Sequence, residues 1–281
     1  MDARAAAEHC AAELRRHDRE RYLADLFAPP SARAALFALH AFNLEVARIP
    51  EVVSEPLLGQ IRLQWWRESL DGIYAGAPRR HAVVLALGDA VTAHDLPRGP
   101  FDAVLEAREQ DMEEAPPPTL AALIAYARAS SGSLVRLALA ACGARDEASL
   151  ATGEAAGIAH ALAGLLRAVP FHAAQRRVYL PAELLAGAGL RAGDVVENRN
   201  RAAMAAVCRG VAEEARSHLA RARAGRSSVP GAAKTALLPA ALGGLTLRRL
   251  ARAGYDPHAM RPPGPLAVQL RLTWANRTGR F

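Results

Sequence analysis

Lysine is almost missing from this 281-residue chain: Lys234 stands alone beside 34 arginines. The formal charge of +7 is therefore nearly all guanidinium. Either a GC-rich genome writes Arg for Lys, or the surface meets anionic partners such as diphosphates, acidic lipid headgroups or nucleic acid. No basic run interleaves with aromatics, which argues against nucleic acid as a partner. Isoleucine, threonine and aromatics are sparse while alanine and leucine dominate, a balance that disfavours strands and predicts an all-α fold. Cys10, Cys142 and Cys208 are widely spaced with no CxxC pair, so they read as reduced, mostly buried thiols of a cytosolic protein. No apolar run approaches the roughly 20 residues that span a bilayer. The N-terminal MDARAAAEHCAAELRRHDRER lacks the apolar stretch of a signal peptide. These absences predict a cytoplasmic protein, soluble or peripheral on the inner face of the cytoplasmic membrane.

What is present is apolar periodicity of three and four, punctuated by Pro and Gly. It predicts helices over 3–18, from Ser31 as N-cap to about Arg48, and from Pro56 to Gly76. Others are expected over 81–93, 98–114, 119–142, 147–168, 181–188, 200–224, 229–252 and 264–276. Pro50 ends or kinks the second of these. The PPP at 116–118 and GRSSVPG at 225–231 are too short for domain linkers. One domain, residues 1–281, built as a bundle of roughly ten helices, is the expectation.

Two segments carry candidate chemistry. ALFALHAFNLEVARIPEVVSE, residues 35–55, ends in Glu45, Arg48 and Glu51, and the first two are spaced for a surface ion pair. LRAVPFHAAQRRVYLP, residues 166–181, sets Arg167, His172, Arg176, Arg177 and Tyr179 around a helix end. Its arginines suit either a bound phosphate or plain solvation. Trp65 and Trp66 read as core and groove lining. EAREQDMEE, residues 106–114, reads as a solvated acidic face, and residues 236–254 as a packed terminal helix in preference to a lipid anchor.

Taken together, these segments resemble the squalene/phytoene synthase family. Arg167, Val169, Arg177, Tyr179, Leu180 and Pro181 keep the frame of its R-D-V-x-E-D and G-R-x-Y-L-P segments. ALFALHAF is similar to the A-L-Y-A-F before its first D-D-x-x-D. Arg62, Trp65, Trp66 and Arg67 follow R-x-x-W-W-R, and Asp71 to Pro78 follow D-x-x-Y-x-G-x-P. Tyr126 to Gly143 resemble its Y-x-x-x-x-A-G-x-V-G helix, and Asp111 falls near its pocket rim. The resemblance covers about residues 20–200 and implies an isoprenoid-synthase-like helical bundle around a central cavity.

The family's aspartates are missing. Its two aspartate-rich motifs hold Mg²⁺ ions that bind the substrate diphosphates and stabilise the departing pyrophosphate. Here the first motif falls on Ala47, Arg48 and Glu51, the second on Ala168, Phe171 and His172. One carboxylate cannot hold several hard cations. The resemblance thus implies no catalytic residue, no metal ligand and no cofactor, with Mg²⁺ required only if the chain is a prenyltransferase after all. Arg48, Glu51, Trp66, Arg167, His172, Arg176, Arg177 and Tyr179 are expected to line an anion or prenyl pocket. The pattern R-A-x-P-x-H with F-N-x-E-x-A is similar to one branch of the superfamily. That branch holds the mitochondrial complex I assembly factor and its alphaproteobacterial relatives. It implies a scaffold role with respiratory complex I subunits or assembly intermediates as partners. The alternatives are condensation of isoprenoid diphosphates, or non-catalytic binding of a prenyl diphosphate or lipid.

Overall fold

A computed structural model of the chain describes residues 2–53 and 55–281, and no strand occurs among them. Helices α1 (Ala3–His17), α2 (Arg19–Asp25), α3 (Pro30–Ala47), α4 (Ile49–Val52) and α5 (Pro56–Tyr74) come first. Then come α6 (Ala82–His94), α7 (Gly99–Glu109), α8 (Leu120–Ala127) and α9 (Ser133–Ala141). The second half holds α10 (Glu147–Arg167), α11 (Val169–Ala174), α12 (Ala182–Gly187), α13 (Ala192–Val196) and α14 (Arg201–Gly225). A 3₁₀ segment, Gly231–Leu237, leads into α15 (Leu238–Arg252), and α16 (Pro265–Thr278) follows.

The long helices lie where the periodicity predicts them, and side-chain caps fix several starts. Asp2, Thr119 and Asp146 each accept a hydrogen bond from the backbone three residues on, at 2.7, 3.1 and 2.9 Å. Ser31 is not the cap of α3. Pro29 takes that place with Pro30 at the first helical position, where a fixed φ and a missing N–H cost least. Four short helices, α2, α4, α11 and α13, are too brief to leave a periodic signature. Two of them share one device. Arg48 closes α3 and opens α4, with Pro50 in the first turn; Ala168 closes α10 and opens α11, with Pro170 in the first turn. Both candidate motifs therefore sit on proline-restarted kinks.

One hydrophobic cluster runs from Ala6 to Phe281. The stretch 119–142 is one helical run, widened by a π-helical turn over Arg128–Gly132. That turn brings backbone onto α10 at Gly157, where a Cβ would meet the Ser131 oxygen at 2.6 Å and Gly132 Cα at 2.8 Å. Only glycine fits there. Helix α2 bridges α3 and α10: Asp25 meets His40 at 2.7 Å, and Glu20 accepts from Arg167 at 2.8 and 3.0 Å. Residues 238–250 of α15 are mostly buried, so the apolar-then-basic segment is a packed helix.

Candidate functional site

The acidic run 106–114 is not uniformly solvated. Where α7 tightens into a 3₁₀ turn, Asp111 is only 3% exposed. Its carboxylate accepts from Arg108 at 3.0 Å, from the Tyr126 hydroxyl at 3.2 Å and from the Tyr179 hydroxyl at 2.9 Å. Arg108 also donates to Tyr126 at 2.6 Å and to Asn43 of α3 at 3.4 Å. Arg177 donates to the Asp111 carbonyl. Helices α3, α7 and α8 and the strap 176–180 thus meet on the buried Arg108–Asp111 pair.

A buried charge is tolerable only when paired and hydrogen-bonded, and here every partner is a donor. Burial works against the Arg108 guanidinium, yet Tyr126 and Asp111 hold its pKa above the ordinary value. Burial, then the charge of Asp111, raises the Tyr179 hydroxyl; burial likewise raises Tyr126 well above its usual range. Both tyrosines stay protonated donors at neutral pH. The network clamps helices and exchanges no proton there.

His172 stacks its ring on Tyr179, with centroids 4.6 Å apart. Burial, with help from Arg177, pushes its pKa down to about 4, so the imidazole is neutral at pH 7. Its Nδ1 is buried and has no hydrogen-bond partner among the described residues. His172, Arg177 and Tyr179 are therefore gathered around Asp111, while Arg176 is exposed in a left-handed turn, φ 58°.

Arg48 lies elsewhere, on a cavity of about 510 Å³ between α1, α3, α5 and α6. Leu44, Ile49, Val52, Trp65 and Trp66 give it apolar walls, and Glu13, Glu45, Arg62 and His81 give it polar and ionisable groups. Trp66 is buried edge-on against Phe42, centroids 5.0 Å apart. The ion pair expected between Glu45 and Arg48 does not form. Arg48 faces Glu51 at 3.8 Å, and Glu45 faces His81 at 3.8 Å. Arg167 is in neither group, because Glu20 holds it.

Burial, and secondarily the charge of Glu13, raises the Glu45 carboxyl to about 7. The folded chain then binds this proton more tightly than the unfolded chain. The contribution to stability is complete below about pH 4.5 and is lost as pH rises through about 7. Glu45→Gln is expected to equal the wild type at pH 4 and to melt higher at pH 8. The gain is on the order of 1 kcal/mol, reduced by solvent screening at a side chain 35% exposed. Parallel melting curves for the two proteins at both pH values would refute this.

Mg²⁺, which the motif frame implies, does not fit these residues. Ala47 and Ala168 offer no donor, and Arg48 occupies Glu51. Among the described residues no three His, Cys, Asp or Glu side chains gather at ligating distance. Sequence reading missed Glu20, Asn43 and Arg108. Arg108 carried a usable signal, since it lies one helical turn before Asp111 and an i, i+3 pair is legible from spacing. Glu20 and Asn43 carried none, because their partners are 147 and 65 residues away.

Residues 14–277 match the family model for squalene/phytoene synthase. The chain is 30% identical over 273 residues to the NADH dehydrogenase (ubiquinone) complex I, assembly factor 6, of Bos taurus, covering 96% of this chain and 82% of that protein. It is 29% identical to the presqualene diphosphate synthase of Sinorhizobium fredii, covering 71% of each. In structure it is similar to a squalene synthase of Alicyclobacillus acidocaldarius, with TM-score 0.81, 24% identity, and coverage of 91% of this chain and 96% of that one.

Proposed function

The chain belongs to the squalene/phytoene synthase family, and from that premise we propose that it is a non-catalytic member acting as a scaffold in respiratory complex I assembly. One observation carries the reading. The helical fold is shared with a solved squalene synthase, while the motif resemblance puts Ala47, Arg48, Ala168 and His172 where the family's diphosphate-binding aspartates would be. The relationship to complex I assembly factor 6 along nearly the whole chain supports the same role. Buried donors hold Asp111, and Glu20 holds Arg167, so these groups are engaged within the protein, which supports the same reading. Complex I subunits or assembly intermediates are the partners this role requires, at the inner face of the membrane that holds them. No helix among the described residues is long and apolar enough to cross that membrane.

Deleting the gene in its native cell tests the proposal. Fully assembled complex I on native gels, and its membrane NADH oxidation, should fall at least several-fold and return with the wild-type gene. Normal complex I in the deletion strain would overturn the scaffold role.

A second reading, binding of a prenyl diphosphate without chemistry, is favoured by the cavity beside α3. Arg48 and Arg62 line it together with apolar walls. Farnesyl diphosphate added without Mg²⁺ is then expected to raise the melting temperature with the logarithm of its concentration, and Arg48→Asp to abolish the rise. Flat melting curves up to millimolar ligand would remove this reading and leave the scaffold alone.

A further inference from the structure

Helix α16 packs Val268, Leu272 and Ala275 onto the bundle and turns Leu266, Leu270 and Trp274 to solvent, 67%, 62% and 47% exposed. Spaced four apart, these three form one stripe along the helix. Large apolar side chains scattered singly over a surface need no explanation, whereas three aligned on one helix form a patch that marks a contact.

The charge around the stripe says what it contacts. Residues 215–281 hold twelve of the chain's 35 Lys and Arg but one of its 28 Asp and Glu, a net +11 against −4 for the residues before them. The single acid, Asp256, is taken by Arg201 at 2.9 Å. Arg271 lies over the Trp274 ring, 4.7 Å from its centroid, and its Nε donates to the Ala241 carbonyl at 3.3 Å. Arg248 and Arg223 crowd it: burial first, then their charges, hold the Arg271 pKa below its ordinary value. Lys234 approaches the far end of the helix at Gly279. Arg248, Arg252, Arg261, Arg277 and Arg280 are exposed, and among the described residues none of them has an acid at ion-pair distance. The protein therefore gathers cations around an apolar stripe and leaves them uncompensated, although elsewhere it pairs its arginines freely.

We propose that the α16 face docks on an anionic lipid bilayer, with Leu266, Leu270 and Trp274 at the boundary of headgroups and acyl chains and the flanking arginines on the headgroups. A helix of 14 residues lies in that interface and cannot cross it. Tryptophan favours this depth, and long basic side chains reach from an apolar face to headgroup level. This surface is distinct from the buried network and the α3 cavity, and the inference stands whether or not the scaffold role does.

Vesicle flotation of the full chain tests it. In low salt the protein should float with phosphatidylcholine–phosphatidylglycerol vesicles at least about tenfold more than with phosphatidylcholine alone, and 0.5 M salt, which screens the headgroup charges, should weaken it. The triple variant Leu266→Ser, Leu270→Ser, Trp274→Ser should lose about tenfold in binding yet melt like the wild type, since these side chains are exposed. Arg277→Glu with Arg280→Glu should lose binding to the anionic vesicles as well. Failure to float with the anionic vesicles in low salt, or a triple variant that floats as well as the wild type, would overturn the proposal.

Discussion

Arg108→Met is expected to cost about 3–5 kcal/mol, the range for stranding one partner of a buried ion pair, and to lower the melting temperature by roughly 10 °C. The reason lies in what stays behind. Asp111, 3% exposed, would keep its hydrogen bonds from Tyr126 and Tyr179 but lose its countercharge, and the Asn43 oxygen would lose its donor. Removing both charges should be gentler. Arg108→Met with Asp111→Leu is expected to be less destabilised than the sum of the single variants, because neither leaves a naked charge. Thermal and urea melts of the four proteins give the coupling directly. An Arg108→Met protein that melts like the wild type would show that the cluster is solvated and not a clamp.

Purified chain incubated with farnesyl or geranylgeranyl diphosphate, Mg²⁺ and NADPH is expected to form no condensation product above background. Enzymes commonly turn over at about 1–1,000 s⁻¹, so the shortfall relative to an active relative assayed alongside should reach at least about a thousandfold. Ionising an allylic diphosphate needs positive charge fixed on the leaving group, and oxygen-ligated metal ions supply most of it in this chemistry. Glu51 is the one carboxylate left at the motif positions, and Arg48 faces it at 3.8 Å. Arg167 and Arg177 are cations of the right kind, but Glu20 and the Asp111 carbonyl hold them. Product appearing at rates of order 1 s⁻¹ would disprove the non-catalytic reading, whatever the motif positions hold.

Much of the fold was legible in the chain. The helices from 56 to 74, 147 to 167 and 201 to 225 follow from apolar spacing, and the kinks at Arg48 and Ala168 from the prolines two residues later. Less of the site was legible. The eight residues expected to line one pocket divide: His172, Arg177 and Tyr179 gather at Asp111, Arg48 and Trp66 line the α3 cavity with Glu51 facing Arg48, Arg167 of α10 is held by Glu20 of α2, and Arg176 is exposed. Periodicity tells which face of a helix turns inward but not which distant side chain it meets. The acidic run 106–114 shows the limit: Glu106, Glu109 and Glu113 are exposed as composition suggests, while Asp111 is buried by a tightened turn that composition does not encode.

The sequence by itself determined the all-helical class and the family frame, and its resemblance to the family's motifs is what implies that the aspartates are replaced. These depend on residue identity and near-neighbour spacing, which are covalent facts. Only the tertiary structure decided which acid answers each arginine, which carboxylate loses its water, and that Leu266, Leu270 and Trp274 face outward beside cations with no acid at ion-pair distance among the described residues. Pairing across 147 residues, desolvation and exposure arise from packing, and packing is a property of the whole chain.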